Sequence, residues 1–182
     1  GSTIDERIIE DAHKFLQTGQ KIELNYPIKN TDRAVGTKLS SKIYTTFKSR
    51  YGSKEWDSNI NKDHLNINLT GSAGQSLGAF ATKGLKINLF GDANDYVAKG
   101  LSGATISIRP HKDSTLISQE NTIAGNTVLY GATSGELYIA GQAGERFAVR
   151  NSGAITVVEG CGSNGCEYMT GGTVVILGNT GD

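Results

Sequence analysis

The sequence predicts an all-β fold, a single-stranded right-handed parallel β-helix entered through an N-terminal helix and a short lead-in of helix and strands. Glycine supplies 24 of the 182 residues, against two prolines, which is typical of a chain with many tight turns that need positive φ. Short strands of alternating apolar residues recur from Gly71 onward. Their period is too short to hold a crossover helix, so equivalent strands are expected to stack directly as parallel neighbours.

The first 70 residues are predicted to be the lead-in. Apolar residues at helical spacing over 4–16 predict an amphipathic helix, which Thr3 caps and Gly19 ends. The other expected elements follow in order: a strand over 21–26 that Pro27 stops, a second helix over 41–51, a polar loop over 56–63 and a strand over 65–69.

Residues 71–182 are predicted to be the stack of glycine-paced coils, and both parts are expected to form one domain over 1–182. Turn residues 91, 110, 141, 160 and 178 lie 19, 31, 19 and 18 residues apart, and the long interval holds a polar insertion over 111–124. Two and four residues before each turn, nine of ten positions are aliphatic, and Thr156 is the exception. Each coil is expected to hold two or three short strands around a shared core. The predicted structural turn positions are Gly71, Gly91, Gly141, Gly160 and Gly178.

A meander of β-hairpins is the competing architecture. It would place Asn-Gly or Asp-Gly turns between paired strands, but Asn-Gly occurs once, at Asn164 and Gly165. The stacked coils are therefore favoured.

Charge and composition exclude several classes of partner. The 18 basic residues balance the 18 acidic residues, and no charge run exceeds three, so we expect no nucleic-acid partner and no membrane partner. No signal peptide or membrane-spanning stretch is apparent. The two cysteines, Cys161 and Cys166, are too few for a disulfide framework, and a cytoplasmic location is predicted.

The sequence shows no group of residues with the spacing of a reactive site. His13, His64 and His111 have no partner at metal-ligand spacing. The glycine-rich stretch 160–165 lacks the Lys-Ser/Thr ending of a phosphate-binding loop. We therefore predict no catalytic residue, no cofactor-binding residue and no metal ligand, and two cysteines that are packed rather than redox-active.

The most suggestive charged group is the candidate docking surface formed by Glu145, Arg146, Phe147 and Arg150. Two interpretations stay open: a solvated edge of the stack, or a contact with another domain, because arginine and aromatic residues are favoured at interfaces. The same argument applies more weakly to residues 94–99.

Toward the C-terminus the outward strand positions become more apolar, which predicts a covered face. The last strand also leaves an open edge, which we expect a helix, a loop or a second copy of the chain to cover. The third possibility would make the protein a homodimer.

Six ordered motifs carry a resemblance to a known family. They are NTDRAVGT (30–37), GSAGQS (71–76), GDANDYV (91–97), LYGATSG (129–135), GERFAVRNSG (144–153) and GCEYMTGG (165–172). Together they resemble the GXGXG domain that ends the large (alpha) subunit of glutamate synthase, over about residues 4–181.

This resemblance implies a right-handed β-helix that braces the amidotransferase and flavin domains of an oxidoreductase. That enzyme converts glutamine and 2-oxoglutarate to two glutamates in ammonia assimilation, using FMN and an iron–sulfur cluster. The family's β-helix carries no catalytic residue, so the resemblance implies a scaffold without activity or cofactor of its own, whose partners are the other glutamate synthase domains or subunits.

Two departures from the family leave the origin of the chain open. It stops at 179–182, where the family domain continues, and the catalytic domains are absent. An excised domain and a separate subunit of a split enzyme both fit. Alternative functions are a β-helical scaffold subunit of a related oxidoreductase, such as formylmethanofuran dehydrogenase, and, more remotely, a carbohydrate-active β-helix enzyme.

Overall fold

The computed structural model describes residues 3–111 and 122–178. Within these ranges the chain forms three α-helices, one 3-10 helix and eight strands. In chain order they are α1 (Ile4–Asp11), α2 (His13–Thr18), β1 (Ile22–Ile28), α3 (Thr37–Tyr51), the 3-10 helix (Trp56–Asn59), β2 (Leu65–Ala73), β3 (Leu85–Ala93), β4 (Ser102–Arg109), β5 (Thr122–Ala124), β6 (Ser134–Ala143), β7 (Ser152–Gly160) and β8 (Gly171–Ile176).

All eight strands belong to one parallel sheet. Its order is β1-β2-β3-β4-β6-β7-β8, and the short β5 pairs with β3 and β6. Equivalent residues of successive repeats are register partners, so that Leu65 lies beside Leu85, and Ile106 lies beside Leu137. Because strand side chains alternate between faces, this register aligns the aliphatic positions of every repeat into continuous buried rows.

The predicted fold class is wrong. An all-β, single-stranded right-handed parallel β-helix was expected, with two or three short strands per coil, whereas the structure is a mixed α/β fold with one eight-stranded parallel sheet and helices that precede β1 or connect it to β2. Each repeat contributes one long strand to this sheet. The remainder of each repeat, predicted to be further strands, has a different backbone conformation.

That other backbone segment, which we call the ribbon, has a left-handed residue at every second position. Its left-handed positions are two residues apart, at φ of 65° for Ser76, 68° for Gly78 and 59° for Phe80. Four later repeats have the same pattern at 96/98/100, 127/129/131, 146/148/150 and 164/166/168. Ala34 and Gly36 begin it in the first repeat.

Hydrogen bonds between repeats hold the ribbon together. The first and third left-handed residues donate their N–H to the following repeat, as Ser76 does to the Asp95 carbonyl at 2.8 Å and Phe80 does to Lys99 at 2.7 Å. The middle one donates to the preceding repeat, as Gly78 does to Val35 at 2.8 Å. The ribbon is therefore a second ladder of main-chain bonds, opposite the sheet.

The core lies between the sheet and the ribbon. Inward strand residues and the ribbon residues Leu77, Val97, Val128 and Phe147 belong to one buried cluster. The helices cover the first repeats, where Phe15 and Phe47 pack with ring centroids 5.5 Å apart. The Thr37 hydroxyl donates to the Ala79 carbonyl at 2.8 Å, which ties α3 to the ribbon.

A buried carboxylate connects the first helix to the third. The Asp5 carboxylate in α1 accepts N–H bonds from Gly36 and Leu39 at 2.9 Å, at the N-terminus of α3. A negative group is stabilised there, because the first N–H groups of a helix have no partner within it. Burial nevertheless raises the pKa of Asp5, against the lowering effect of these bonds.

Most lead-in elements form where the sequence predicts them. The Thr3 hydroxyl accepts the Glu6 N–H, and Gly19 ends α2 in the left-handed conformation. The first predicted helix is divided at Ala12 into α1 and α2. The second predicted helix is α3, which begins at Thr37 rather than at residue 41. Residues 56–59 of the expected loop form the 3-10 helix.

The first strand continues through Pro27, which was expected to stop it. It can do so because β1 is at the sheet edge and pairs only with β2, where proline's missing N–H need not break a ladder.

The predicted turn glycines lie in or beside strands. Gly71, Gly91 and Gly141 are inside β2, β3 and β6, Gly160 is the last residue of β7, and Gly178 follows β8. Gly91 has a φ of 154°, and a Cβ there would lie 1.8 Å from the Gly71 carbonyl oxygen. At Gly71 and Gly178 a Cβ would likewise clash with a carbonyl of the preceding repeat, so these three glycines are needed for close stacking of one repeat on the next. Of the predicted insertion, residues 122–124 form β5, and 112–121 lie outside the described residues.

Thr156 gives a test of the buried rows. Its side chain is fully buried, and its hydroxyl oxygen has no hydrogen-bond partner among the described residues. Since an unsatisfied buried hydroxyl is costly, Thr156→Val is expected to raise the free energy of unfolding by about 1 kcal/mol in urea titration. The matched control, Val158→Thr, buries a new hydroxyl and should lower it by a similar amount; a stability loss in Thr156→Val would contradict the assignment.

Asp5 gives a test of the helix connection. Asp5→Ala removes the acceptor for two buried N–H groups, and it is expected to lower the free energy of unfolding by about 2 kcal/mol. Glu6→Ala, which removes an exposed ion pair with Lys38, is the control and should have a much smaller effect. Equal effects of the two substitutions in denaturant unfolding would contradict this role.

The raised pKa of Asp5 also predicts a pH dependence. Burial favours the protonated carboxyl in the folded state, so its stabilising contribution is complete below the ordinary pKa of 3.8 and is lost as the pH rises through the folded pKa. The stability difference between the unsubstituted chain and Asp5→Asn, measured from pH 3 upward at constant salt, should fall over this window. A difference that grows with pH would show that the N–H bonds outweigh burial.

Candidate functional site: two uncovered surfaces

The structure separates the residues of the predicted docking surface. Glu145, Arg146 and Arg150 are exposed on the ribbon of the fourth complete repeat, whereas Phe147 is fully buried in the core. The ribbon conformation explains this arrangement, because its left-handed residues Arg146 and Arg150 flank an inward-facing residue. A surface contact can therefore use the three charged side chains but not the phenyl ring.

Aromatic and charged side chains line this side of the molecule, which we call the ribbon face. Its exposed members are Phe80, Tyr96, Lys99, Glu145, Arg146, Arg150, Glu167 and Tyr168. The Arg150 guanidinium lies 5.5 Å from the centre of the Tyr168 ring, and Lys99 lies 5.7 Å from that of Tyr96. These are distances for cation–π contact.

The backbone at these arginines is unfavourable for their residue type. Arg146 and Arg150 both have a φ of 58°, a conformation that costs an L-residue with a side chain about 1 kcal/mol relative to glycine. The positions equivalent to Arg150 in the two preceding repeats are glycines, Gly100 and Gly131. Glycine would therefore fit the ribbon better than arginine does.

The outer face of the sheet is polar near β1 and apolar near β8. In β1, β2 and β3, Asn25, Asn68 and Asn88 are register partners. Their amides form a ladder, in which Asn88 donates to Asn68 and Asn68 donates to Asn25, each at 3.0 Å. This part of the face satisfies its own hydrogen bonds.

Across β6–β8 the same face is apolar, as the sequence indicated. Tyr138, Val157 and Val175 continue the row of the asparagines. The apolar strand face comprises these residues with Ile155 and Leu177. Exposed fractions of 38% for Tyr138, 44% for Ile155, 42% for Val175 and 68% for Leu177 leave it largely uncovered. β8 also lies at the end of the strand order.

A shallow cavity of about 220 Å³ lies within the apolar strand face. Tyr138, Val157, Glu159 and Leu177 are among its lining residues. The Glu159 Oε2 oxygen is buried and has no hydrogen-bond partner among the described residues. A buried acceptor without a partner is costly, so a donor from a covering group would stabilise it.

The cysteines are wholly or partly buried, and two of the histidines lie against backbone carbonyls. Cys161 is buried and Cys166 half-buried, neither is in a disulfide, and burial raises the pKa of both thiols. Because the thiolate is the reactive form, both are poorly suited to redox chemistry. Nδ1 of His13 and of His64 lies within 3.1 Å of the backbone carbonyls of Glu10 and Gly19.

Over residues 3–111 and 122–178, no three His, Cys, Asp or Glu side chains are grouped so that they could hold a metal ion. The two thiols are also fewer than the four that an iron–sulfur cluster requires. In the same ranges no helix is long and apolar enough to cross a membrane. The cytoplasmic location stays a prediction.

Sequence reasoning missed the ribbon face as a continuous surface. It identified residues 94–99 and 145–150 separately, but not Phe80 or Tyr168. One signal could have joined them: a five-residue stretch recurs at 76–80, 96–100, 127–131, 146–150 and 164–168, at intervals of 20, 31, 19 and 18 residues. Its glycines are sparse, so aligning the repeats on turn glycines did not reveal it.

Comparison with known proteins places this segment in longer chains. The family model described as "GXGXG motif" matches residues 5–182. The chain is 59% identical over 176 residues to the glutamate synthase [NADPH] large chain of Azospirillum brasilense, covering 97% of this chain and 11% of that protein.

Two further relatives show the same relation. Identity is 51% over 178 residues to the glutamate synthase [NADH] of Schizosaccharomyces pombe, covering 98% of this chain and 8% of that protein. It is 46% over 186 residues to the ferredoxin-dependent glutamate synthase 2 of Synechocystis sp., covering 100% of this chain and 11% of that protein. The chain thus spans about a tenth of the length of these relatives.

The left-handed backbone at Arg146 predicts an unusual order of stability. Arg146→Gly is expected to be more stable than Arg146→Ala by about 1 kcal/mol, because only glycine adopts positive φ without strain. At Lys86, an outward strand position, Lys86→Gly should instead be less stable than Lys86→Ala. Urea unfolding of the four variants tests this, and the same order at both positions would contradict a left-handed Arg146.

Proposed function

Since this chain belongs to the GXGXG family, we propose that it is a non-catalytic scaffold segment of a glutamate synthase, which holds the amidotransferase and flavin domains of that enzyme together. In this proposal the enzyme converts glutamine and 2-oxoglutarate to two glutamates. FMN and the iron–sulfur cluster bind to other parts of the large chain. The present chain contributes contact surface and rigidity.

The observation that carries the scaffold role is the apolar strand face. Three large apolar side chains on β6–β8 and Leu177 just after β8 are at least 38% exposed, and this face includes the buried acceptor oxygen of Glu159. Contiguous exposed apolar surface marks interaction sites in folded proteins. The Asn25–Asn68–Asn88 ladder at the other end of the same face is already hydrogen-bonded and needs no cover.

The names of the relatives support a role that does not depend on the electron donor. They specify NADPH, NADH and ferredoxin, yet the matching segment is at least 46% identical to this chain in all three. A segment that bound the donor would be expected to differ between them. A shared structural task accounts for the identity, and these relatives favour glutamate synthase over the formylmethanofuran dehydrogenase and carbohydrate-enzyme alternatives.

The test is association in trans. The 182-residue chain is mixed with a glutamate synthase large chain produced without the matching segment, and binding is measured by analytical ultracentrifugation. We expect a complex that restores glutamate synthase activity, while the chain alone turns over neither glutamine nor 2-oxoglutarate. Turnover by the isolated chain, or the absence of any complex, would overturn the proposal.

Matched variants locate the contact. Ile155→Asp and Val175→Asp place a carboxylate on the apolar strand face and are expected to weaken the complex at least tenfold, because a charge buried at an interface loses its hydration. Asn88→Asp adds the same charge at the polar end of the sheet face and should bind like the unsubstituted chain. Equal binding by all three variants would show that the apolar strand face is not the contact.

A further inference from the structure

We propose that the ribbon face around Arg146 and Arg150 is a second docking site, which binds a carboxylate-bearing segment from the rest of the large chain. This inference rests on the scaffold role proposed above, and it adds the chemistry of one partner. The site lies on the ribbon, separate from the apolar strand face on the outer side of the sheet.

Two exposed guanidinium groups form the recognition element. Among the described residues the ion pairs are Lys38–Glu6 and Lys62–Glu136, so neither Arg146 nor Arg150 is neutralised by the nearby carboxylates of Glu145 and Glu167. Guanidinium groups form paired hydrogen bonds with carboxylates. The charge that would complete this surface is therefore negative.

The Tyr168 ring holds one of the two guanidinium groups in place. Arg150 lies 5.5 Å from the ring centre, and Tyr168 itself is 74% exposed. Stacking restrains the arginine side chain before a partner arrives, which reduces the entropy lost on binding. Tyrosine and arginine are also the residue types that most often dominate binding energy at interfaces.

The ribbon position that precedes Arg150 in the stack is open. The third left-handed positions of successive repeats are Phe80, Gly100, Gly131, Arg150 and Tyr168. The Phe80 ring covers Gly100, where a Cβ would lie 2.5 Å from it, whereas nothing lies within 4 Å of a Cβ at Gly131. A partner segment can therefore approach the ribbon closely at Gly131, in the repeat next to that of Arg150.

Bulky residues occupy this site although the positive φ of the backbone there favours glycine. Arg146 and Arg150 have positive φ, and the two repeats before Arg150 have glycine at its position. Strained positions that hold a bulky residue are associated with function. Phe80, Tyr96 and Tyr168, which are 53%, 40% and 74% exposed, are further bulky residues at positive φ on the same face.

The rest of a glutamate synthase large chain is a suitable source of this partner. The relatives are about nine to twelve times longer than the present chain, which covers 11% of the Azospirillum protein and 8% of the Schizosaccharomyces protein. A segment from within the same polypeptide would be present at high effective concentration, so a few charge-assisted bonds suffice.

Charge reversal in the trans complex is the first test. Arg146→Glu with Arg150→Glu is expected to weaken binding to the separately produced remainder of the large chain at least tenfold. The control, Lys14→Glu with Lys21→Glu, changes the net charge by the same amount at exposed sites away from the ribbon. It should weaken binding to the remainder less than threefold. Arg146→Lys with Arg150→Lys keeps the charge but loses the paired hydrogen bonds and the contact with Tyr168, so it should bind more weakly than the unsubstituted chain and more tightly than the glutamate pair.

Zero-length cross-linking identifies the partner. Arg146→Lys and Arg150→Lys each introduce an amine that a water-soluble carbodiimide joins to a contacting carboxylate, with loss of one water. Mass spectrometry of the complex should find these lysines linked to Asp or Glu of the remainder. Links only within the 182-residue chain, or to an isotope-labelled second copy of it, would overturn the proposal.

The two proposals fail in different ways. If no complex forms with the unsubstituted chain, the scaffold function itself is overturned, and this inference with it. If the complex forms and Ile155→Asp disrupts it, but both charge-reversal pairs bind equally, only the arginine site is overturned. Circular dichroism of each variant confirms that a weaker complex does not reflect an unfolded chain.

Discussion

The fold depends on main-chain hydrogen bonds that left-handed residues make between repeats. In the ribbon, N–H groups at Ser76, Ala98 and Leu129 each donate to a carbonyl of an adjacent repeat at 2.7–2.8 Å. Both sides of the core are thereby closed by a backbone ladder, the sheet on one side and the ribbon on the other. Buried N–H and C=O groups must be paired, and this arrangement pairs them without crossover helices. Inward rows of aliphatic side chains then need only fill the space between.

Outward-facing residues do not have to fill the core, and their residue types differ between the sheet and the ribbon. On the sheet, polar side chains near β1 bond to each other, whereas Ile155 and Val175 near β8 remain uncovered. On the ribbon, Arg146 and Arg150 occupy backbone sites where glycine would be favoured. The apolar strand face and the arginines of the ribbon face lie toward the C-terminal repeats, while α1–α3 pack over the first repeats. Contacts with other domains are thus expected at one end of the stack, and the helices protect the other.

Much of the fold could be predicted from residue patterns, and the remainder has a physical reason. Alternating aliphatic positions located every long strand, and Thr3 and Gly19 marked the ends of the helical lead-in. The fold class was wrong because the glycine spacing was interpreted as turns between short strands. The ribbon has neither the alternating spacing of a strand nor the spacing of a helix within each repeat, and non-glycine residues such as Leu129 and Tyr168 take positive φ there. Phe147 was likewise placed on the surface, since its inward direction follows from the ribbon alone.

The alternating direction of the ribbon bonds has a consequence for how such a molecule can change in evolution. Each repeat gives two N–H groups forward and one backward, so a partial repeat would break bonds on both of its neighbours. The stack is therefore expected to gain or lose length in whole repeats. The interval between register partners of β4 and β6 is 31 residues, as for Ile106 and Leu137, whereas the other neighbouring strands from β2 onward have intervals of 18–20 residues. Across this interval the Tyr96 N–H still donates to the Asn126 carbonyl at 3.0 Å. The stack therefore tolerates added sequence in this repeat without losing the hydrogen bonds between repeats.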